Sequence, residues 1–235
     1  MNLDQQRRYA RQIMLDDVGE AGQRTLLAAR VLVIGAGGLG SASISYLAAA
    51  GVGHIAVADP DRVELSNLAR QILHETGDIG RLKVESAADR VAEINPEIDF
   101  VSHPFAVTTE NAEALINEYH LVADGCDNFA TRFAVNDACV KLHIPLVSAA
   151  IAGWQGQLMT VMPGGPDYRA LVHPEAPEAN TCRDSGVIGP LAGIMGSMQA
   201  LEIIRVILGR PAFAGKLLRY DGINGTSHVA SLGDA

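Results

Sequence analysis

Several short segments of this chain carry residues whose types and spacing suit chemistry on an anionic ligand. Gly35-Ala36-Gly37-Gly38-Leu39-Gly40 fits G-x-G-x-x-G. Glycines let the backbone approach a phosphate, and a helix N-terminus behind them supplies N–H donors and a partial positive charge. An apolar, β-branched run precedes the motif and a small-residue run follows it, which is the strand-to-helix context it requires. A tight turn without a ligand would use the same glycines. Asp59 ends the next apolar run, about where a ribose-binding acid belongs. The glycine motif alone does not separate a dinucleotide from a nucleoside triphosphate.

The polar stretch beyond Asp59 supplies that choice. Asp59, Asp61, Ser66, Asn67, Arg70 and, further on, Lys83 bring polar groups close together in sequence. A dinucleotide needs only its ribose acid there. A triphosphate needs several cations, because charge develops on the leaving pyrophosphate, and Arg70 and Lys83 suit that task. Taken singly, these residues also fit a solvated surface loop. Asp127 follows another short apolar run, which places it at the carboxyl edge of a sheet, where ligands bind in this architecture. A carboxylate there can hold Mg²⁺ beside triphosphate oxygens, and Asn128 can add a polar contact. Both are also good helix N-caps, and the two roles are compatible. Cys182 lies in Asn180-Thr181-Cys182-Arg183-Asp184, where Arg183 and the helix start at Pro190 would favour a thiolate. A lone loop cysteine is more often incidental. Cys139 is expected in the core, Gly189, Gly193 and Gly196 in close helix packing, and the seven histidines show no metal-ligand spacing.

The elements that must position these residues alternate. Predicted strands at 30–34, 54–58, 98–102, 121–123 and 145–149 are separated by predicted helices at 39–50, 83–95, 109–118 and 129–142. The 83–95 segment is amphipathic, with Val84, Ala87, Ala88, Val91 and Ile94 on one face, and Asn95-Pro96 stops it. Residues 60–80 form a long polar connection with room for a helical turn. Such alternation implies an α/β fold with a Rossmann-like, mostly parallel sheet and helices on both faces. After residue 150 the pattern changes to a predicted antiparallel strand at 155–162, a long crossover loop at 163–185, an apolar helix at 190–208 and short final strands at 217–220 and 228–232. The expected organisation is a single domain over 1–235. It has a helical extension at 1–28 that includes a charged helix at 4–15, a nucleotide-binding half at 29–150 and a C-terminal half at 151–235.

Composition bounds the function. The chain has 235 residues, 48% hydrophobic and 19% charged, enough for a substantial core and far from a disordered composition. A formal net charge of -9 lacks the footprint of a general nucleic-acid binder. Three cysteines, Cys126, Cys139 and Cys182, form no C-x-x-C pair and fit a reducing cytoplasm. The polar N-terminus is not that of a signal peptide. The uncharged stretch from Val31 to Gly53 holds six glycines and three serines, so a membrane span is rejected there. The apolar stretch 186–201 contains Pro190 and reads as a packed core helix.

Together these residues resemble the E1-like adenylyltransferases of the ThiF, MoeB and HesA family. The similarity runs from Arg7 to about Asp221. It is carried by Arg7-Arg8-Tyr9-Ala10-Arg11-Gln12-Ile13, the glycine loop, Leu65-Ser66-Asn67-Leu68-Ala69-Arg70-Gln71, Lys83-Val84-Glu85-Ser86, and Asp127-Asn128 followed by Arg132. The stretch from Cys182 to Glu202 looks closest to ThiF. The resemblance implies ATP-dependent adenylation of the C-terminal glycine carboxylate of a small ubiquitin-like sulfur carrier, in preparation for a thiocarboxylate. It implies that Asp59 binds the ribose, that Asn67, Arg70 and Lys83 bind the phosphates, and that Asp127 holds Mg²⁺. It implies that Arg11 reaches the ATP site of the other subunit of a homodimer, that Cys182 can take part in sulfur transfer, and that a sulfurtransferase or cysteine desulfurase is a further partner. Many members bind a structural zinc through two C-x-x-C pairs. Here Asp167-Tyr168-Arg169-Ala170 stands at the first pair's place, so no zinc is expected.

Competing readings are an NAD-dependent oxidoreductase, which leaves Arg70, Lys83 and Asp127 idle, and adenylation of a peptide or of a carboxylate on modified tRNA. A third is a non-catalytic partner of a carrier protein, against which the intact set of Arg11, Arg70, Lys83 and Asp127 argues. The motifs leave the pathway open among thiamin, molybdenum cofactor, cysteine and a sulfur-containing secondary metabolite.

Overall fold

The computed structural model describes residues 1–171 and 186–232. Five strands form its parallel part: β1 (Arg30–Ile34), β2 (His54–Ala58), β3 (Asp99–His103), β4 (Leu121–Asp124) and β5 (Leu146–Ala152). Three more, β6 (Gln155–Val161), β7 (Lys216–Asp221) and β8 (Thr226–Ser231), continue the same sheet antiparallel, giving the order β3-β2-β1-β4-β5-β6-β7-β8. The apolar runs of β1, β2 and β4 are buried almost throughout, as expected of parallel strands covered on both faces.

Helices cover both faces. Along β1 the pleat turns Val31 and Val33 toward one side and Leu32 and Ile34 toward the other. The first side is filled from α3 (Gly19–Ala28), α4 (Gly38–Ala50), α5 (Lys83–Ile94) and α9 (Gly189–Ile207), with Leu26, Leu47, Val84 and Ile203 buried there. The second is filled from α6 (Ala112–Ile116) and α7 (Phe129–Leu142), with Ile116, Val135 and Cys139 buried there. Each fully buried aliphatic chain contributes about 1.5–3 kcal/mol. α9 is the one described helix long and apolar enough to cross a membrane by length and composition. It lies against α4 as a core helix. A Cβ on Gly196 would sit 2.4 Å from the Leu39 carbonyl oxygen, and one on Gly189 2.3 Å from that of Ala69. Gly193 faces open space, so of the three glycines expected to pack it is the exception.

The sequence-based expectations differ from the structure at particular points. The charged segment expected as one helix at 4–15 is broken into α1 (Leu3–Arg8) and α2 (Ala10–Ile13). Tyr9, at the break, turns inward to 1% exposure, and its hydroxyl accepts from Asn95 Nδ2 at 2.8 Å. The helix expected at 109–118 shrinks to α6, because Asn111 Oδ1 accepts from the Thr108 N–H at 2.8 Å and holds a turn ahead of it. Inside the long loop, residues Tyr168–Leu171 form a helical turn, α8.

Candidate nucleotide site

The carboxyl ends of β1, β2 and β4 open into a cavity of about 910 Å³. It lies where the strand order reverses between β1 and β4, the switch point at which α/β sheets bind ligands. Gly35, Gly37, Gly38, Asp59, Asp61, Ser66, Asn67, Arg70, Lys83, Asp127 and Asn128 all line it.

The glycine loop forms one wall. Gly35 takes φ +95°, a region that favours glycine, and turns the chain sharply off β1 into α4. The first N–H groups of a helix have no intrahelical acceptor. Those of Gly37, Gly38 and Leu39 meet no acceptor among the described residues, and all three residues line the cavity. This is a donor cradle for an anion. Asp59, 5% exposed, braces the loop from the end of β2: its Oδ2 accepts from the Ala36 N–H and its Oδ1 from the Asp61 N–H, each at 2.8 Å. Burial raises its carboxyl above the ordinary range, against the lowering influence of Lys83 and these two N–H donors.

The β2–α5 connection forms the second wall. It contains two 3-10 turns, Leu65–Asn67 and Thr76–Asp78. Asn67 Oδ1 accepts from the Glu64 N–H at 3.2 Å, which fixes the first turn, and Arg70 Nη1 donates to the Ser66 carbonyl at 3.0 Å. Lys83 opens α5 with its side chain only 7% exposed, and Nζ lies 2.8 Å from Asp61 Oδ2. The cation and the carboxylate expected separately at the ligand are thus paired with each other.

The third wall is the turn after β4. Asn128 N-caps α7, its Oδ1 accepting from the Thr131 N–H at 2.8 Å, while still lining the cavity. Asp127 is exposed at the mouth. Sequence reasoning missed what holds this turn. Asp124, 0% exposed, lies 3.0 Å from Arg132 Nη1 and accepts from Ser148 Oγ at 2.9 Å. Arg132 Nη2 donates to the Cys126 carbonyl at 2.5 Å, directly beneath Asp127. Gln199 of α9 donates to the carbonyls of Asp124 and Val147 at 2.8 and 3.0 Å. The signal was Asp124 at the last strand position with Arg132 one turn into the next helix, a spacing that aims both side chains at one spot. Burial pushes the Cys126 thiol well above its ordinary pKa, with Asp124 adding to the effect, and burial raises Cys139 as well.

Two expected site residues lie outside the cavity wall, and a third is not among the described residues. Gly40 does not line the cavity: a Cβ there would sit 2.1 Å from the Gly35 carbonyl oxygen, so its place is a packing contact between loop and helix. Arg11 is exposed on α2, outside the cavity wall of its own chain. Cys182 lies outside the described residues. At the segment expected in place of a C-x-x-C pair, Arg169 donates to Asp137 through Nε at 2.7 Å and Nη2 at 2.5 Å, and the Tyr168 N–H donates to Asn136 Oδ1 at 2.9 Å. Among the described residues no three His, Cys, Asp or Glu side chains cluster as a metal site.

A glycine-loop donor cradle, flanked by cations on one side and a carboxylate on the other at a switch point, defines a nucleotide-binding α/β protein. Residues 9–234 match the sequence profile of the ThiF family, and the chain belongs to that family. It is 46% identical over 226 residues to the adenylyltransferase and sulfurtransferase MOCS3 of Culex quinquefasciatus, covering 94% of this chain and 52% of that one. It is 45% identical over 223 residues to the SAMP-activating enzyme E1 of Haloferax volcanii, covering 93% and 82%. The chain spans about half the length of the MOCS3 relatives. The fold is also that of E. coli MccB, with a TM-score of 0.87 at 21% identity over 98% of this chain and 72% of that one. PaaA gives a TM-score of 0.84 at 22% identity, over 99% and 75%.

Proposed function

We propose that this chain is an adenylyltransferase that activates the C-terminal glycine carboxylate of a small ubiquitin-like sulfur-carrier protein with ATP. One observation carries the reading: Asn67, Arg70 and Lys83 face the same cavity as the free N–H groups of the glycine loop, with Asp127 at its mouth. An NAD enzyme has no use for that set. The names of the MOCS3 and SAMP-activating relatives support the same activity.

In this reading the N–H groups of Gly37 and Gly38 bind phosphate oxygens and Asp59 receives the ribose. Arg70 and Lys83 hold the β- and γ-phosphates and take up the charge that develops on them. The carrier carboxylate oxygen bonds to the α-phosphorus, the bond from that phosphorus to the bridging oxygen breaks, and pyrophosphate leaves. An exposed carboxylate beside a triphosphate cradle suits Mg²⁺, which Asp127 would hold and which would supply charge neutralisation on the phosphate oxygens. Exposed Trp154, Ile223 and Val229 on the antiparallel end offer an apolar face for the carrier. The chain works as a cytoplasmic homodimer, Arg11 reaching the partner's site, without a structural zinc, and with a sulfurtransferase or cysteine desulfurase as sulfur donor.

ATP–pyrophosphate exchange dependent on a carrier ending in Gly-Gly tests this. NAD binding without exchange would refute it. Mixing Arg11→Ala and Asp127→Ala proteins should restore part of the activity by forming one intact site per mixed dimer. No rescue despite subunit exchange would remove Arg11 from the site.

A further inference from the structure

Both backbone polar groups of Ala36 are held by buried side chains from outside the glycine loop. Its N–H donates to Asp59, and its carbonyl lies 3.0 Å from Nε2 of His74. His74 is 5% exposed and stands behind the loop, outside the cavity wall. Its Nδ1 is 2.8 Å from Ser86 Oγ, which is itself 2.8 Å from Asp78 Oδ2. Asp78 is anchored by the Glu75 N–H at 2.9 Å and by Arg81 Nη1 at 2.7 Å. The charged groups around the ring are Lys83 on α5, Asp78 with its partner Arg81, and Asp59 at the end of β2.

Counting protons fixes the ring. A carbonyl can only accept, so the contact with Ala36 requires a proton on Nε2. Ser86 has one proton and two claimants. Given to Asp78, it leaves Nδ1 to donate, and the ring is an imidazolium. Given to Nδ1, it leaves a neutral ring protonated on Nε2 and sets Ser86 Oγ against Asp78 Oδ2 with no proton between them. Both arrangements keep the bond to Ala36. A neutral ring protonated only on Nδ1 would set two acceptors face to face. The contact from Ser86 Oγ to Asp78 favours the first arrangement and burial, which lowers the His74 pKa, opposes it; in either, Nε2 carries the proton that the Ala36 carbonyl accepts. Across the planar trans peptide the Gly37 N–H points opposite the Ala36 carbonyl, away from His74. Gly37 lines the cavity, and its N–H is one of the free donors.

We propose that His74 is a positioning residue of the nucleotide site: donating from Nε2, it fixes the Ala36–Gly37 peptide so that the Gly37 N–H faces the ligand's phosphates. The assignment rests on the nucleotide reading above. His74→Leu removes the donor and strands a buried carbonyl. ATP binding should weaken about tenfold, while adenosine, which has no phosphate, should bind as before. His74→Gln keeps an N–H donor and should recover most of the ATP affinity. A merely structural role would weaken both ligands alike and gain nothing from Gln. If His74→Leu fails to fold, ¹⁵N NMR of the imidazole in the ligand-free wild-type chain decides the point: the expected result at neutral pH is protonation on Nε2. A neutral ring protonated on Nδ1, or ATP binding unmoved by His74→Leu, would overturn the His74 assignment and leave the adenylation reading standing. No ATP binding by the wild-type chain would overturn both.

Discussion

At the carboxyl ends of β1, β2 and β4, polar side chains are buried and interlocked. Asp59 grips Ala36, Asp124 grips Arg132 and Ser148, and Lys83 grips Asp61. At the antiparallel end of the same sheet every residue of β8 is exposed, and Trp154, Ile223 and Val229 stand in solvent. One region spends burial on holding charges still, the other leaves apolar surface uncovered. Chemistry on a small anion needs preorganised charge in a low dielectric, whereas capture of a protein needs accessible apolar area. Substitutions in the first region should therefore damage activity or folding together with the site, and those in the second should affect only binding of the proposed carrier.

Asp127→Ala gives the largest expected effect: exchange activity falls by roughly three orders of magnitude or more, while the melting temperature stays close to wild type. Unchanged exchange would take Asp127 out of the mechanism. Arg132→Ala strands a buried Asp124 and should cost about 3–5 kcal/mol in denaturant unfolding. A cost below about 1 kcal/mol would mean that the buried pair does not hold the turn. Gly40→Ala drives a Cβ into the Gly35 carbonyl and should destabilise by about 3 kcal/mol, with loss of nucleotide binding as the loop is displaced. Trp154→Ala should change stability by no more than about 0.5 kcal/mol and raise the KM for the carrier several-fold without moving the KM for ATP. If both KM values rise, the two regions are not separable. Arg169→Ala is the smallest. The hydrogen bond from Arg169 holds the Asp137 carboxyl below its ordinary range, so the pair's stability is present above the ordinary carboxylate pKa and fades as pH falls through the lowered Asp137 value. Its loss should cost less than about 1 kcal/mol at pH 7 and nothing at a pH below that value.

The buried region was also the more legible in sequence, but unevenly. Apolar runs such as Val31 to Ile34 can only be covered strands, and the glycine loop between such a strand and a small-residue helix allows few other readings. Asn67, Arg70, Lys83 and Asp127 were readable as candidate site residues because their connections leave the carboxyl edge, and all four line the cavity. What was hidden depends on distance in sequence. That Lys83 meets Asp61, that His74 reaches back to Ala36, and that Gln199 ties α9 to the ends of β4 and β5 are consequences of packing between elements. Tyr9 was misread for the same reason. Its helical surroundings predict an uninterrupted helix, and only the pocket beside Asn95 and Gly51 explains the break.

The Lys83–Asp61 pair has one more consequence. A lysine already neutralised by a carboxylate sets a threshold for whatever enters the cavity. A ligand bearing a single negative charge, such as a free carboxylate, competes with Asp61 only on equal terms. A triphosphate concentrates several charges on one chain of atoms and can draw Nζ across. On the proposed reading, Asp61 thus favours ligands of high charge density at Lys83 over singly charged ones.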